Sequence, residues 1–138
     1  MNKPLTQSVE DYLERIHELI EEKGYARVSD IAAALGLSRP SVSVMVQRLD
    51  RLGLLDYEKY RGLRLTDAGR DAARRIRRRH ATLTEFFTLL EIDPDTIDRD
   101  VEGIEHHISS ETLRRIERLV AHWQADPAAL RAALDGAA

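Results

Sequence analysis

Residues 29–49 read SDIAAALGLSRPSVSVMVQRL, and this stretch decides the fold. Ser29 is placed to cap a short helix over Asp30 to Leu35, which Gly36 closes by accepting the positive φ of a tight turn. Ser38 caps the next helix. Pro40 is tolerated in its first turn, and the helix runs to about Leu52 before Gly53 ends it. Ala32 is small where the two helices cross, and Ile31, Leu35, Leu37, Val42 and Met45 supply the apolar contacts that set their angle. Two short helices with a glycine turn between them make a helix-turn-helix.

Working outward, Leu54 to Tyr60 and Leu63 to Leu65 read as two short strands joined at Arg61-Gly62, which adds a wing. Upstream, Val9, Tyr12, Leu13, Ile16, Leu19 and Ile20 recur at helical spacing over Val9 to Lys23, and Gly24 stops the run. Downstream, a long helix is predicted from about Asp67 to Leu90, with the basic run Arg74 to Arg79 in its middle, until Asp93-Pro94 breaks it. Helices over about Asp95 to Ile108 and Ser110 to Gln124 follow, and Asp126-Pro127 opens a short last one. The expected fold is mainly α: a winged helix-turn-helix over residues 1–72, then a helical domain over residues 73–138.

The 138 residues carry a net charge of −3, but the charge is unevenly spread. From Lys23 to Arg79 there are 14 Lys and Arg against 6 Asp and Glu, a net +8; the rest of the chain holds 7 against 18, a net −11. A basic module beside an acidic one points to a polyanion partner for the first, which the overall balance conceals. There is no cysteine, so disulfides and thiolate metal sites are excluded. No apolar run is long enough to span a membrane, and the first residues lack the apolar stretch of a signal peptide. A cytoplasmic protein without membrane contact is expected.

Helical geometry separates the faces of the second helix. Val42, Met45, Val46, Leu49 and Leu52 form a stripe toward the core, while Pro40, Ser43, Val44, Gln47, Arg48 and Arg51 point outward. With Ser38, Arg39 and Ser41 at the helix start, these are the candidate DNA contacts. Gln47 suits adenine, Arg suits guanine, and Val44 suits a thymine methyl. Lys59, Arg61 and Arg64 on the wing suit phosphates, since cations at a wing tip position rather than specify. The same residues also describe an ordinary hydrated helix face.

Six further residues are candidate metal ligands: Asp11, Glu14, His80, Glu102, Glu105 and His106. Four carboxylates and two imidazoles without sulfur suit Mn²⁺ or Fe²⁺ better than structural Zn²⁺. Glu102, Glu105 and His106, at i, i+3 and i+4, fall within about 100° of arc on one helical face, with Val101, Ile104 and Ile108 on the opposite, core-facing side. An acidic solvent face accounts for that triplet equally well. Asp11 and Glu14 share a hydrated face with Glu18, Glu21 and Glu22, and His80 alone is compatible with a plain surface or core histidine. His107 points away from the ligand arc; His17 and His122 are read as structural.

The helix-turn-helix, EEKGYARVSDIA (21–32), the YEKYRGLRLT wing (57–66), the central RRH (78–80) and DVEGIEHHIS (100–109) together resemble the manganese transport repressors of the diphtheria toxin repressor superfamily. The resemblance covers nearly the whole chain. It implies that Asp11, Glu14, His80, Glu102, Glu105 and His106 are the metal ligands, holding two adjacent Mn²⁺ ions per subunit. It implies a helical metal-binding and dimerisation domain, and a homodimer that binds palindromic double-stranded operator DNA when metal-loaded and represses manganese-uptake genes. Two divalent ions would neutralise the four carboxylates. Related iron-dependent repressors carry methionine where Asp11 stands and cysteine where Glu102 stands; this chain has neither, and is expected to lack their C-terminal SH3-like domain. A regulator of the same superfamily responding to Fe²⁺ or Zn²⁺ is the alternative. A di-metal carboxylate enzyme is disfavoured, because no separate base or nucleophile accompanies the carboxylates. No small-molecule substrate and no enzymatic activity are expected.

Overall fold

The computed structural model describes residues 5–58 and 62–136. In chain order the elements are α1 (Gln7–Lys23), α2 (Val28–Leu35), α3 (Arg39–Arg51), β1 (Leu55–Glu58), β2 (Gly62–Leu65), α4 (Asp67–Leu89), α5 (Pro94–Ile104), α6 (Ser110–Ala125) and α7 (Pro127–Asp135). They form two compact units, divided within α4 between Ile76 and Arg77. Among the described residues no helix is long and apolar enough to cross a membrane.

Local chemistry accounts for most boundaries. Thr6 caps α1 by accepting from the Val9 N–H, and Gly24, at φ 80°, ends it. Ser38 accepts from the Ser41 N–H at the start of α3, and Gly53 turns the chain out of it at φ 76°. Asp93 caps α5, where the Thr96 backbone N–H and hydroxyl, at 3.0 and 2.7 Å, hold its carboxyl below the ordinary carboxylate range. The folded pKa being lowered, this cap contributes fully above the usual carboxylate range and is lost as pH falls through the lowered value.

Within the first unit, Val9, Leu13 and Ile16 of α1, Ile31 of α2, and Val42, Val46 and Leu49 of α3 are buried in one cluster. Leu55, Leu63 and Leu65 of the hairpin close it, with Ala72 and Ile76 from α4. The strands pair antiparallel, Leu55 opposite Leu65 and Tyr57 opposite Leu63, and Ala26 adds an isolated bridge to Leu63. Leu49 has no solvent exposure. Leu49→Ala is therefore expected to cost about 2–5 kcal/mol through lost burial and the cavity left behind, read as a lowered denaturant midpoint. The second unit has a smaller core of Leu83, Ile97 and Val101, with Phe87, Ile92, Ile108 and Ile116 packed around it.

Several sequence expectations are corrected. The cap residue of α2 is Arg27 rather than Ser29: the helix begins at Val28, and the Asp30 carboxylate reaches back to the Arg27 N–H at 3.1 Å. Leu52 is 51% exposed because it lies past the last turn of α3 at the rim of the buried stripe, and Leu54 and Leu55 fill the core instead. Leu37 is also exposed, standing in the turn beyond Gly36. The first strand begins at Leu55, and the expected end at Tyr60 lies outside the described residues. The helix expected to reach Ile108 stops at Ile104, so residues 105–107 form a turn and Ile104, expected in the core, is 36% exposed.

Candidate metal centre and nucleic-acid interface

The second unit brings three of the six candidate ligands together. Glu105 is the C-cap of α5, its backbone still in the right-handed helical region and its N–H bonded to Val101 at 2.9 Å, which keeps the side chain on the helix's inner face. It is 5% exposed. His80, on α4, sets its Nδ1 2.6 Å from Glu105 Oε2, and His106 sets Nε2 3.4 Å from Glu105 Oε1. One buried carboxylate thus faces an imidazole on each oxygen.

A buried carboxylate is costly unless its lone pairs are used, and here both are directed at nitrogen atoms that can either carry a proton or ligate a metal. Protons and a divalent cation compete for the same lone pairs, so this donor set fits a metal ion chemically. Among the described residues, no three His, Asp or Glu side chains converge as a metal-holding group. The three residues make a chain through Glu105 rather than a shell. Glu102 is exposed, one turn before Glu105 on α5. Asp11 and Glu14 belong to the first unit, on α1, exposed and half-buried respectively, and both are engaged in interactions of their own. His107 is exposed and His17 packs within 3.6 Å of Glu21. Sequence reasoning passed over Glu10, which is buried beside Asp11 and also has an interaction. Neither its type nor its spacing signals burial.

The exposure of the candidate DNA contacts follows the helical spacing, with one exception. Ser38, Arg39, Pro40, Ser41, Gln47, Arg48, Arg51 and Arg64 are all exposed, and Val44 is 66% exposed although apolar. Ser43 is only half-exposed, because it lies between the buried Val42 and Val46 positions and the open face. Lys59 and Arg61 lie outside the described residues. An apolar side chain left open at the centre of a polar helix face is what contact with a thymine methyl needs. The basic run in α4 is partly engaged: Arg74 lies 3.7 Å from Asp71, and Arg78 reaches Glu117 on α6 at 2.6 Å.

Comparison with known proteins extends both halves. Residues 4–63 match the family model described as iron dependent repressor, N-terminal DNA binding domain, and residues 66–131 match iron dependent repressor, metal binding and dimerisation domain. The chain is 52% identical over 130 residues to the HTH-type transcriptional regulator MntR of Geobacillus kaustophilus, covering 94% of this chain and 92% of that protein. It is 51% identical over 123 residues to the MntR of Bacillus subtilis, covering 89% and 87%. Among solved structures, a manganese-dependent transcriptional repressor in complex with manganese superposes with a TM-score of 0.71 at 29% identity, covering 82% of this chain and 52%, about half, of that one. The winged helix, the histidine-flanked carboxylate and these matches lead to one conclusion: the chain belongs to the iron dependent repressor family of metal-dependent, DNA-binding, dimeric transcriptional regulators.

Proposed function

We propose that the protein is a manganese-responsive repressor, a homodimer that binds a palindromic operator when Mn²⁺ is bound and silences manganese-uptake genes in the cytoplasm. The observation that carries this reading is the buried Glu105 carboxylate between His80 and His106, in a chain half-identical to regulators named MntR. Glu102, Asp11 and Glu14 complete the ligand set, giving four carboxylates and two imidazoles for two adjacent ions per subunit. Oxygen-rich donors without sulfur suit Mn²⁺. Residues 1–72 form the DNA-binding domain and residues 73–138 the metal-binding and dimerisation domain.

Supplying ligands from both domains lets the metal act on DNA affinity. Without it, carboxylates gathered at one place repel one another; with it, the two recognition helices of a dimer hold one spacing. A two-fold operator demands that spacing, about 34–36 Å or a multiple. Pro40, Ser43, Val44, Gln47, Arg48 and Arg51 face the major groove, Ser38, Arg39 and Ser41 contact DNA at the helix start, and Lys59, Arg61 and Arg64 take phosphates.

The family model itself is described as iron dependent, which makes Fe²⁺ the second reading. The test is recovery of fragmented genomic DNA from the source organism on the purified protein, with chelator, with Mn²⁺, and with Fe²⁺ under anaerobic conditions. Enrichment of a few two-fold fragments by Mn²⁺ is the expected result. Enrichment by Fe²⁺ alone assigns iron, and equal recovery with chelator removes the metal switch.

A further inference from the structure

We propose that the cavity of about 420 Å³ between the start of α2, the start of α3 and the hairpin seats one backbone phosphate of DNA, held by Arg27 and Arg39, with Tyr25 positioning the Arg27 guanidinium. This rests on the DNA-binding reading above and adds Arg27, Ser29 and Tyr25 to the candidate DNA contacts.

The walls favour an anion. Arg27 and Arg39 supply two guanidinium groups, and Ser29 a hydroxyl in the first turn of α2, where the helix dipole adds positive potential. Among the described residues the Arg39 guanidinium has no ion pair or hydrogen bond. The Arg27 guanidinium lies 5.1 Å from the centre of the Tyr25 ring, a cation–π contact that orders the side chain while leaving its N–H fork open to an acceptor. Its backbone is fixed by the bond from the Arg27 N–H to Asp30. Among the described residues Glu58 is the only carboxylate in the wall, and it is already engaged in an interaction of its own.

The walls also move as one piece. The Leu63 N–H donates to the Ala26 carbonyl at 3.0 Å, tying the hairpin to the residue before Arg27. Gly62, at φ 92°, permits that approach, since a Cβ there would stand 3.1 Å from the Ala26 oxygen. The position suits a phosphate as well. One wall is the first turn of the helix that enters the major groove, and the opposite wall is the wing. The DNA strand bordering the groove passes between them, where the first helix of a helix-turn-helix crosses the backbone.

The test measures affinity for duplex DNA against salt concentration, with Mn²⁺ present, for the full-length protein and four variants whose thermal unfolding is checked first. Arg27→Ala and Arg39→Ala each lower the log–log salt slope by about one unit, on operator and random duplex alike. Arg27→Lys keeps the slope but recovers affinity only in part, because an ammonium keeps the charge and loses the fork. Tyr25→Leu weakens binding at an unchanged slope, since it removes order and no charge. A second arm titrates inorganic phosphate without DNA. Binding no tighter than millimolar there, with the slope change on DNA, assigns the site to the DNA backbone. Micromolar phosphate binding with an unchanged slope in Arg27→Ala overturns the proposal in favour of a free anion, and an unchanged slope alone overturns it outright. Wild-type protein that binds no duplex with any metal would instead overturn the DNA-binding reading, a separate result.

Discussion

Glu105→Gln is expected to abolish Mn²⁺-responsive DNA binding while leaving the helical unit folded. The substitution keeps the side chain's shape and removes its charge and one acceptor. Glutamine still hydrogen-bonds one imidazole, so the packing around this buried position survives. What is lost is the anionic bridge between His80 Nδ1 and His106 Nε2. Mn²⁺ affinity should fall by at least the roughly 10–100-fold that losing a mere supporting partner of a ligand costs. Calorimetric titration with Mn²⁺ and an anisotropy assay on operator DNA read the two effects. His107→Ala is the control, since that residue is exposed and outside the site. Glu105→Gln responding at wild-type Mn²⁺ concentrations would remove Glu105 from the ligand set and with it the proposed centre.

Gly69→Ala is expected to destabilise the first unit at or beyond the top of the range of about 1–3 kcal/mol for overpacking, against a total stability of order 5–15 kcal/mol. A Cβ at Gly69 would stand 1.9 Å from the Leu54 carbonyl oxygen and 2.9 Å from its carbon. The obstacle is backbone, so no rotamer change relieves it. The region is also cross-tied: the Thr66 hydroxyl donates to the Gly53 carbonyl at 2.7 Å and accepts from the Gly69 N–H at 3.1 Å, while the Thr66 N–H reaches Leu54 at 3.2 Å. Moving α4 away would break these bonds. Guanidinium unfolding measures the loss. Gly103→Ala is the comparison, because nothing lies within 4 Å of a Cβ there, and in a helix that change gains up to about 1 kcal/mol. Equal midpoints for the two variants would show that α4 does not pack on Leu54 as described.

The candidate site was only partly legible in the sequence. Residue type selected His80, Glu102, Glu105 and His106, and helical spacing put the last three on one arc. Spacing did not show that α5 ends at Ile104, leaving His106 in a turn, nor that Glu105 is the buried member and Glu102 the exposed one. The exposed face of α3 was read more fully, because a helix with a clear apolar stripe defines its opposite face. Leu52 and Leu37 marked the edge of that argument: at helix ends, periodicity no longer says which way a side chain points. Arg27 went unselected because the anionic character of its cavity comes from Arg39 twelve positions later and from a hairpin further on still.

The sequence by itself determined the helix-turn-helix, the hairpin that follows, the long α4 and the Asp93-Pro94 break. Each rests on interactions within a few residues: a serine or aspartate cap, a glycine at positive φ, an apolar period of 3.6. Tertiary structure alone decided that His80 meets Glu105 across 25 positions, that Gly69 lies against the Leu54 backbone, and that Arg27 and Arg39 share one cavity. These are contacts between segments far apart in the chain. Their geometry follows from how whole helices pack, and local residue patterns carry no record of it.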